Sequence, residues 1–269
     1  LTVLEADEST RYLVLEMGAS GPGHIAYLTD IAPLDAAGVL MIGHAHMGGF
    51  GSIEGVAAAK AEIIAGLLPE GTAVLNADDA RAAAMAELAP ARVLTFSAQG
   101  RQADLRAENV ALDAAARAAF DLHLPGLAEP RRVQLAVAGA HNVSNALAAA
   151  GLALAAGLDP ELVADRLGSV SIESPHRMDV SELGGDLLLI DDSYNANIDS
   201  MTAALAVLPA LAGGRRRVVV ISEMLELGES SAADHARTGE LAAQAGAAML
   251  IGIGSTQEAL EAARARGVE

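Results

Sequence analysis

The chain has 269 residues, 52% of them hydrophobic, and a formal net charge of -18. Such acidity excludes a nucleic-acid partner, because no basic surface could offset phosphate repulsion. The absence of cysteine excludes disulfides and thiol chemistry, and no apolar run approaches the ~18 residues of a membrane span. We expect a cytoplasmic protein with one large or two ordinary domains. We also expect a monomer, although no pattern in the sequence bears on the oligomeric state.

Apolar or β-branched runs bounded by turn residues predict the strands. In chain order they are YLVLEMG (12–18), AAGVLMIG (36–43), TAVLNA (72–77), RVLTFS (92–97), RRVQLAVA (131–138), DLLLIDDS (186–193), RRVVVIS (216–222) and AMLIGIG (248–254). Helical periodicity between them predicts the helices. These cover residues 52–67, 80–89, 141–157, 159–170, 199–212, 231–246 and 256–267.

The alternation of strands and helices predicts an α/β fold with mostly parallel sheets and covering helices. Residues 103–138 break the alternation and predict two or three strands of an antiparallel appendage. A domain boundary is expected near 178–186, which divides the chain into residues 1–180 and 181–269. The second part reads as a βαβαβα series, typical of a partial Rossmann-like domain.

Polar side chains follow two of the predicted strands. Glu16 ends the first, and His44 and His46 follow the second. Because ligands gather beyond the carboxyl ends of parallel strands, Glu16 is either part of a site or a carboxylate that reaches solvent. The histidines suggest proton transfer or a metal. Zinc is disfavoured without cysteine or a third histidine at a usual spacing, whereas a carboxylate with one imidazole suits Mg2+.

Lys60 is the only lysine in the chain and interrupts the apolar face of a predicted helix. Residues at helical spacing form this face: Val56, Lys60, Ile63, Ile64 and Leu67. The lysine is either functional or a side chain whose stem covers apolar surface while its amine reaches water.

Further candidates lie in later loops. Asn142 and Asn145 open a predicted helix, where they either cap it or read the edge of a base. Arg177 lies near the expected domain boundary. Its guanidinium either binds phosphate oxygens or is exposed to solvent. The run DDSYNAN (191–197) ends a buried strand, and so many polar groups there are costly unless they bind something. A GxxxxGK[ST] phosphate loop is absent from the sequence.

Seven segments together resemble the Mur ligases, the ATP-dependent amide ligases of peptidoglycan precursor synthesis. They are LVLEMGAS, AHMGGFGSIEGVAAAKAEI, VLNADD, GAHNVSNALAAA, PHRMD, DDSYNANIDSM and EMLELGESS with a later His. The resemblance runs along essentially the whole chain. It implies a central P-loop-type ATPase domain over residues 1–180 and a Rossmann-like C-terminal domain over residues 181–269. We expect a fragment in which the phosphate loop and the UDP-sugar domain would precede Leu1, and which alone does not turn over ATP.

The resemblance also implies roles for the candidates. The Mg2+ ligands would be Glu16, His46 and Lys60. The ATP-binding residues would be Asn142, Asn145, Arg177, Asp192 and Tyr194. Asn195 and Asn197 would contact the amine substrate or the nucleotide, and Lys60, His46 and Arg177 would be catalytic.

Lys60 corresponds to a lysine that the family carries as a carbamate. Burial lowers the pKa of an amine, and the neutral amine can add CO2, which an always-protonated arginine cannot do. One departure from the family is Met41, where relatives often carry Asn. It borders the predicted metal loop and casts doubt on full activity.

Within the family, DDSYNAN and FGS-x-E resemble the members that add D-Ala-D-Ala to a UDP-N-acetylmuramoyl-tripeptide. ATP would phosphorylate the peptide carboxylate, and the incoming amine would displace phosphate. One alternative is another ligase of the superfamily, such as a different amino-acid adder or a folylpolyglutamate synthetase. The other is a non-catalytic nucleotide-binding module.

Overall fold

The computed structural model describes residues 2–43, 50–171 and 174–269. We call residues 2–171 the first region and residues 174–269 the second region. The strands are β1 Leu34–Val39, β2 Leu67–Asn76, β3 Arg92–Ser97, β4 Leu105–Leu112, β5 Arg117–His123, β6 Arg131–Ala138, β7 Asp179–Gly184, β8 Leu187–Asp191, β9 Val218–Ser222 and β10 Met249–Ile253. The helices are α1 His24–Ile31, α2 Ile53–Ala65, α3 Ala80–Ala84, α4 Asn142–Ala155, α5 Pro160–Leu167, α6 Ile198–Ala212, α7 Ser231–Gln244 and α8 Gln257–Arg264.

The first region is built on a six-stranded sheet in the order β1-β2-β3-β4-β5-β6. The strands from β1 to β4 run parallel. The pairs β4–β5 and β5–β6 are antiparallel, so the predicted appendage consists of three strands that extend the same sheet. This arrangement confirms the predicted α/β class with a mostly parallel sheet.

The core of the first region consists of two apolar clusters, one on each face of β2. Val74 belongs to the cluster formed with β3–β6, α4 and α5. Ala73 and Leu75 belong to the cluster formed with β1 and α2. Because neighbouring residues of a strand point to opposite faces, helices cover both sides of the sheet. The carboxyl ends of the parallel strands therefore share one edge.

Helix α2 begins where Ser52 caps it by accepting a hydrogen bond from the N–H of Gly55 at 3.1 Å. Its predicted apolar face is confirmed at Val56 and Ile64, which are buried. The prediction is wrong at Leu67, which is buried as the first residue of β2, because the helix has already ended at Ala65.

The predicted strand at residues 12–18 is wrong, since these residues form no β ladder. A strand needs a hydrogen-bonded neighbour, and within the described residues β1 pairs only with β2. The aromatic and aliphatic side chains of Tyr12, Leu13 and Val14 remain exposed. The predicted helix 80–89 is α-helical only over α3 and continues as a 3-10 turn at Met85–Leu88.

The second region begins with the antiparallel hairpin β7–β8, of which β7 was not predicted. The expected alternation follows as β8-α6-β9-α7-β10-α8. β9 and β10 are parallel neighbours and share an apolar cluster with the three helices. None of the described helices is long and apolar enough to cross a membrane.

Candidate functional site

Side chains at the end of β2 hold the chain that leaves β1. Asn76 Nδ2 donates to the carbonyl oxygen of Leu40 at 2.7 Å. Asp79 Oδ2 accepts from the N–H of Ile42 at 2.7 Å, while its Oδ1 caps α3. The carbonyl of Leu40 and the N–H of Ile42 thus bond to side chains and not to a neighbouring strand. β1 therefore ends at Val39, earlier than predicted. The same bonds fix the edge of the sheet at which ligands are expected.

Lys60 lies at this edge, on α2. Its Nζ donates to the carbonyl oxygen of Met41 at 3.2 Å. Burial lowers the pKa of Lys60, and the nearby charges of Asp79 and Asp199 partly offset this shift. The lysine also lines a cavity of about 180 Å3. The other lining residues are Met17, Ile25, Gly38, Val39, Leu40, Met41 and Ile63.

The predicted Mg2+ ligands are only partly described. Glu16 is exposed, and the next residue, Met17, shares the cavity of Lys60. His44 and His46 lie outside the described residues. Within the parts of the chain that the structure describes, no three His, Cys, Asp or Glu side chains gather as a metal site. Two carboxylates, one on Glu16 and one carried by Lys60, would be the oxygen ligands that Mg2+ prefers.

The two asparagines predicted to face a base lie on the first turn of α4. Asn142 Nδ2 donates to the carbonyl oxygen of Ala138 at 2.7 Å. Asn145 Nδ2 donates to Asn142 Oδ1 at 3.0 Å. The N-cap position is His141, which makes no side-chain cap bond. Helix capping therefore does not account for the pair, and the base contact stays a prediction.

The start of α4 and the end of β8 face each other across the two regions. Partial burial lowers the pKa of His141, and the charge of Asp192 works in the opposite direction. Burial raises the pKa of Asp192, which the bond from the N–H of Met178 and the charge of His141 partly offset. The two regions are therefore close enough, near the predicted nucleotide contacts, for these charges to act on each other.

Arg177 is held by the end of β8. Its guanidinium carbon lies 4.3 Å from the centre of the Tyr194 ring, which is a cation–π contact. Asp192 Oδ1 accepts from the N–H of Met178 at 3.0 Å, and the carbonyl oxygen of His176 accepts from the N–H of Tyr194 at 3.1 Å. Arg177, Asp192 and Tyr194, predicted separately, therefore form one cluster.

His176 completes this cluster. Its Nδ1 lies 2.8 Å from Asp191 Oδ2. This contact and hydrogen bonds from Ser193 hold the pKa of Asp191 down at about 2. His176 and Met178 both adopt positive φ, at 61° and 49°, so the bonds to β8 hold the segment around Arg177 in a conformation that non-glycine residues rarely adopt.

Asn195 and Asn197 have local partners. Asn197 and Ser200 form a capping box at the start of α6, which is one structural reason for an asparagine at that position. Asn195 Oδ1 accepts from the N–H of Ala196 at 2.9 Å. Substrate contact by either residue stays a prediction.

Sequence reasoning missed several groups at this edge. Asp79 and Asn76 belong to the quoted segment VLNADD, and their position after a strand was the available signal. Asp199 belongs to the quoted segment DDSYNANIDSM but was given no role beside Lys60, although its charge acts on Lys60. His176 belongs to the quoted segment PHRMD, but a lone histidine before Arg177 did not indicate its contact with Asp191.

The family described as "Mur ligase middle domain" matches residues 1–153. The family described as "Mur ligase, glutamate ligase domain" matches residues 176–268. These two matches cover the six-stranded sheet and the Rossmann-like series, and they agree with the resemblance read from the motifs.

Curated relatives point in the same direction. A protein of Mycobacterium tuberculosis (strain ATCC 25618 / H37Rv) named UDP-N-acetylmuramoyl-tripeptide–D-alanyl-D-alanine ligase is 44% identical over 258 residues, covering 94% of this chain and 50% of the relative. A protein of the same name from Escherichia coli (strain K12) is 36% identical, covering 99% of this chain and 58% of the relative. The chain therefore spans about half the length of the curated relatives it matches.

Solved structures share the fold. MurF from Acinetobacter baumannii superposes with a TM-score of 0.86 at 35% identity, covering 97% of this chain and 56% of that protein. MurF ligase from Thermotoga maritima in complex with ADP superposes with a TM-score of 0.74 at 26% identity, covering 89% of this chain and 53% of that protein. Both superpositions extend over the first and second regions.

Proposed function

We propose that this chain, which belongs to the Mur ligase family, supplies the ATP-binding and catalytic part of a ligase that adds D-Ala-D-Ala to a UDP-N-acetylmuramoyl-tripeptide. One observation carries the proposal. The Lys60 edge of the first region and the cluster of Arg177, Asp192 and Tyr194 in the second region each retain the family's chemical groups. Relatives that bear the name of this reaction align with 94% of the chain.

In the proposed reaction, an oxygen of the tripeptide's terminal carboxylate attacks the γ-phosphorus of ATP, and ADP leaves. The amine of D-Ala-D-Ala then attacks the carbonyl carbon of the acyl phosphate. The carbon–oxygen bond to phosphate breaks, the nitrogen loses a proton, and an amide and inorganic phosphate remain. Negative charge lies on phosphoryl oxygens throughout, so the protein's task is positioning and charge stabilisation.

Arg177 has the geometry for this task. Its planar fork can donate to two phosphate oxygens at once. Stacking on Tyr194 and the bonds from His176 and Met178 to β8 limit the orientations that the guanidinium can take. In this proposal Arg177 holds the phosphates of ATP, while Asn142 and Asn145 contact the adenine.

Lys60 acts in this proposal as a carbamate. Its lowered pKa increases the fraction of neutral amine, whose lone pair forms a bond to the carbon of CO2 and releases one proton. The result is a carboxylate on a long stem at the edge of the sheet. Asp79 and Asp199 oppose the shift but do not reverse it.

The residues that would hold Mg2+ are Glu16, His46 and the carbamate of Lys60. When bound, Mg2+ would neutralise charge on the phosphate oxygens. In this proposal the chain would supply two carboxylates, Glu16 on the exposed segment before Met17 and the carbamate on α2.

The test is phosphate release by the native protein, supplied with ATP, Mg2+ and the UDP-N-acetylmuramoyl-tripeptide. We expect D-Ala-D-Ala to stimulate release and to appear in the product. Stimulation by a single amino acid, with none by D-Ala-D-Ala, would assign the chain to a different ligase of the family. ATP binding without stimulation by any amine would favour the nucleotide-binding module.

A further inference from the structure

Gly43 is the last residue of the described range 2–43. It borders a narrow notch. A Cβ atom placed on Gly43 would lie 2.7 Å from Asp199 Oδ2 and 3.2 Å from Met41 Cε. Real Cβ atoms do not approach oxygen so closely. Gly43 does not have a positive φ, so its backbone would accept other residues. A Cβ at this position would require the ends of the Asp199 and Met41 side chains to shift.

The carboxylate in this notch comes from the other region. Asp199 lies on the first turn of α6, where the helix dipole favours an acidic residue. The dipole accounts for an acid at this position but not for its insertion against Gly43 of the first region. Lys60 bonds to the carbonyl oxygen of Met41, and the side chain of Met41 forms another wall of the notch.

We propose that Asp199 is the positioning residue through which the second region docks on the first, with its carboxylate seated in the notch beside Gly43, Met41 and Lys60. Asp199 is five residues from Tyr194 and lies within the capping box that Asn197 and Ser200 form at the start of α6. Seating Asp199 thereby sets where the cluster of Arg177, Asp192 and Tyr194 lies relative to Lys60. The docking contact stands on geometry alone, whereas its consequence for catalysis rests on the proposed function.

The test measures the distance between the two regions directly. The chain contains no cysteine, so cysteines at the exposed positions Glu87 and Glu258 would carry the only two spin labels. We expect one dominant distance in the parent chain. Gly43→Ala should lengthen and broaden the distribution and lower the docked fraction severalfold, because the Asp199 carboxylate must leave the space that the new Cβ takes.

A double-mutant cycle separates docking from general damage. Asp199→Ala should lower the docked fraction, and adding Gly43→Ala to it should change the distances no further, since the colliding carboxylate is gone. Asp199→Asn keeps the volume and should retain part of the docking. Thermal unfolding by circular dichroism establishes that each variant is folded.

Gly38→Ala is the matched control. Gly38 lies on β1 of the same chain segment, but a Cβ there would meet only Leu152 of the first region, at 3.3 Å. Its distances should equal those of the parent chain. An unchanged distribution in folded Gly43→Ala, or fully additive effects in the double variant, would overturn the docking role. This result is independent of ligase activity, so its failure and failure of the proposed function can be told apart.

Discussion

The two regions of the molecule hold their site residues in different ways. In the first region, Asn76 and Asp79 follow a central strand and bond directly to the chain leaving its neighbour. In the second region, Asp192 and Tyr194 extend from the end of a two-stranded hairpin and bond to residues 176–178. The first set is fixed by a six-stranded sheet, whereas the second is fixed by a few bonds at one hairpin end.

The same contrast appears around Lys60. Asp79 accepts hydrogen bonds from three backbone N–H groups of its own region. Asp199 reaches Lys60 only because the second region lies against the first. This difference suggests a division of tasks: the first region presents a fixed edge, and the second carries the cluster that we propose contacts the phosphates. Lid and domain motions of this kind control many catalytic cycles.

The largest expected effect comes from Lys60, where the two regions meet. Lys60→Arg keeps the charge but cannot form a carbamate, so kcat of the native protein should fall by about 10²-fold or more, as when one electrostatic contact to the transition state is removed. A short carboxylic acid should partly restore Lys60→Ala, whereas a short amine of similar size should not. Full activity of the arginine variant would rule out the carbamate.

A substitution of Asp79 tests whether its hydrogen bonds stabilise the edge of the sheet in the first region. Asp79→Ala removes both the cap of α3 and the bond to Ile42, so the free energy of unfolding should fall by ~1–3 kcal/mol in urea denaturation. Asp159→Ala is the control, because Asp159 caps α5 in the same way without a bond to β1. A loss no larger than that of the control would show that Asp79 is only a helix cap.

Substitutions of Tyr194 test whether its ring positions the guanidinium of Arg177. Tyr194→Leu should raise KM for ATP by about two- to fivefold. This change corresponds to the free energy that an exposed cation–π contact contributes. Tyr194→Phe should leave KM nearly unchanged because the ring face remains. The exposed Tyr27, which lies on α1, supplies the control as Tyr27→Leu. Equal KM values for Tyr194→Leu and Tyr194→Phe would exclude stacking as the reason for this tyrosine.

The smallest expected effect concerns the pair of His176 and Asp191. The pKa of Asp191, about 2, lies below the ~3.9 of an unfolded chain. Its stabilising effect is thus fully present above about pH 4 and disappears as the pH falls through about 2. The difference in unfolding free energy between the parent chain and Asp191→Asn should shrink over that interval. A constant difference from pH 5 to 2 would contradict it.

The sequence predicted the elements whose signal is local. β3 and β6 were predicted with the bounds that the structure gives them, because their apolar runs are bounded by clear turn residues. Strand 12–18 failed because pairing depends on a neighbour that local sequence does not specify. β1 was predicted too long because side chains of Asn76 and Asp79 take over its last backbone bonds.

The site was predictable to a similar degree. Motifs placed Lys60, Arg177, Asp192 and Tyr194, and three of these four meet in one cluster. Asp199 and His176 could not be predicted in their observed roles, because each acts through a contact between distant parts of the chain. Glu16 and His46 stay predictions.

The proposed carbamate of Lys60 would lie at the edge where the two regions meet. The most direct measurement is 13C NMR of the chain in 13C-labelled bicarbonate with Mg2+, since Lys60 is its only lysine. We expect a carbamate resonance in the parent chain that is absent from Lys60→Arg. The same spectrum from both proteins, whether the resonance is present or missing, would contradict it.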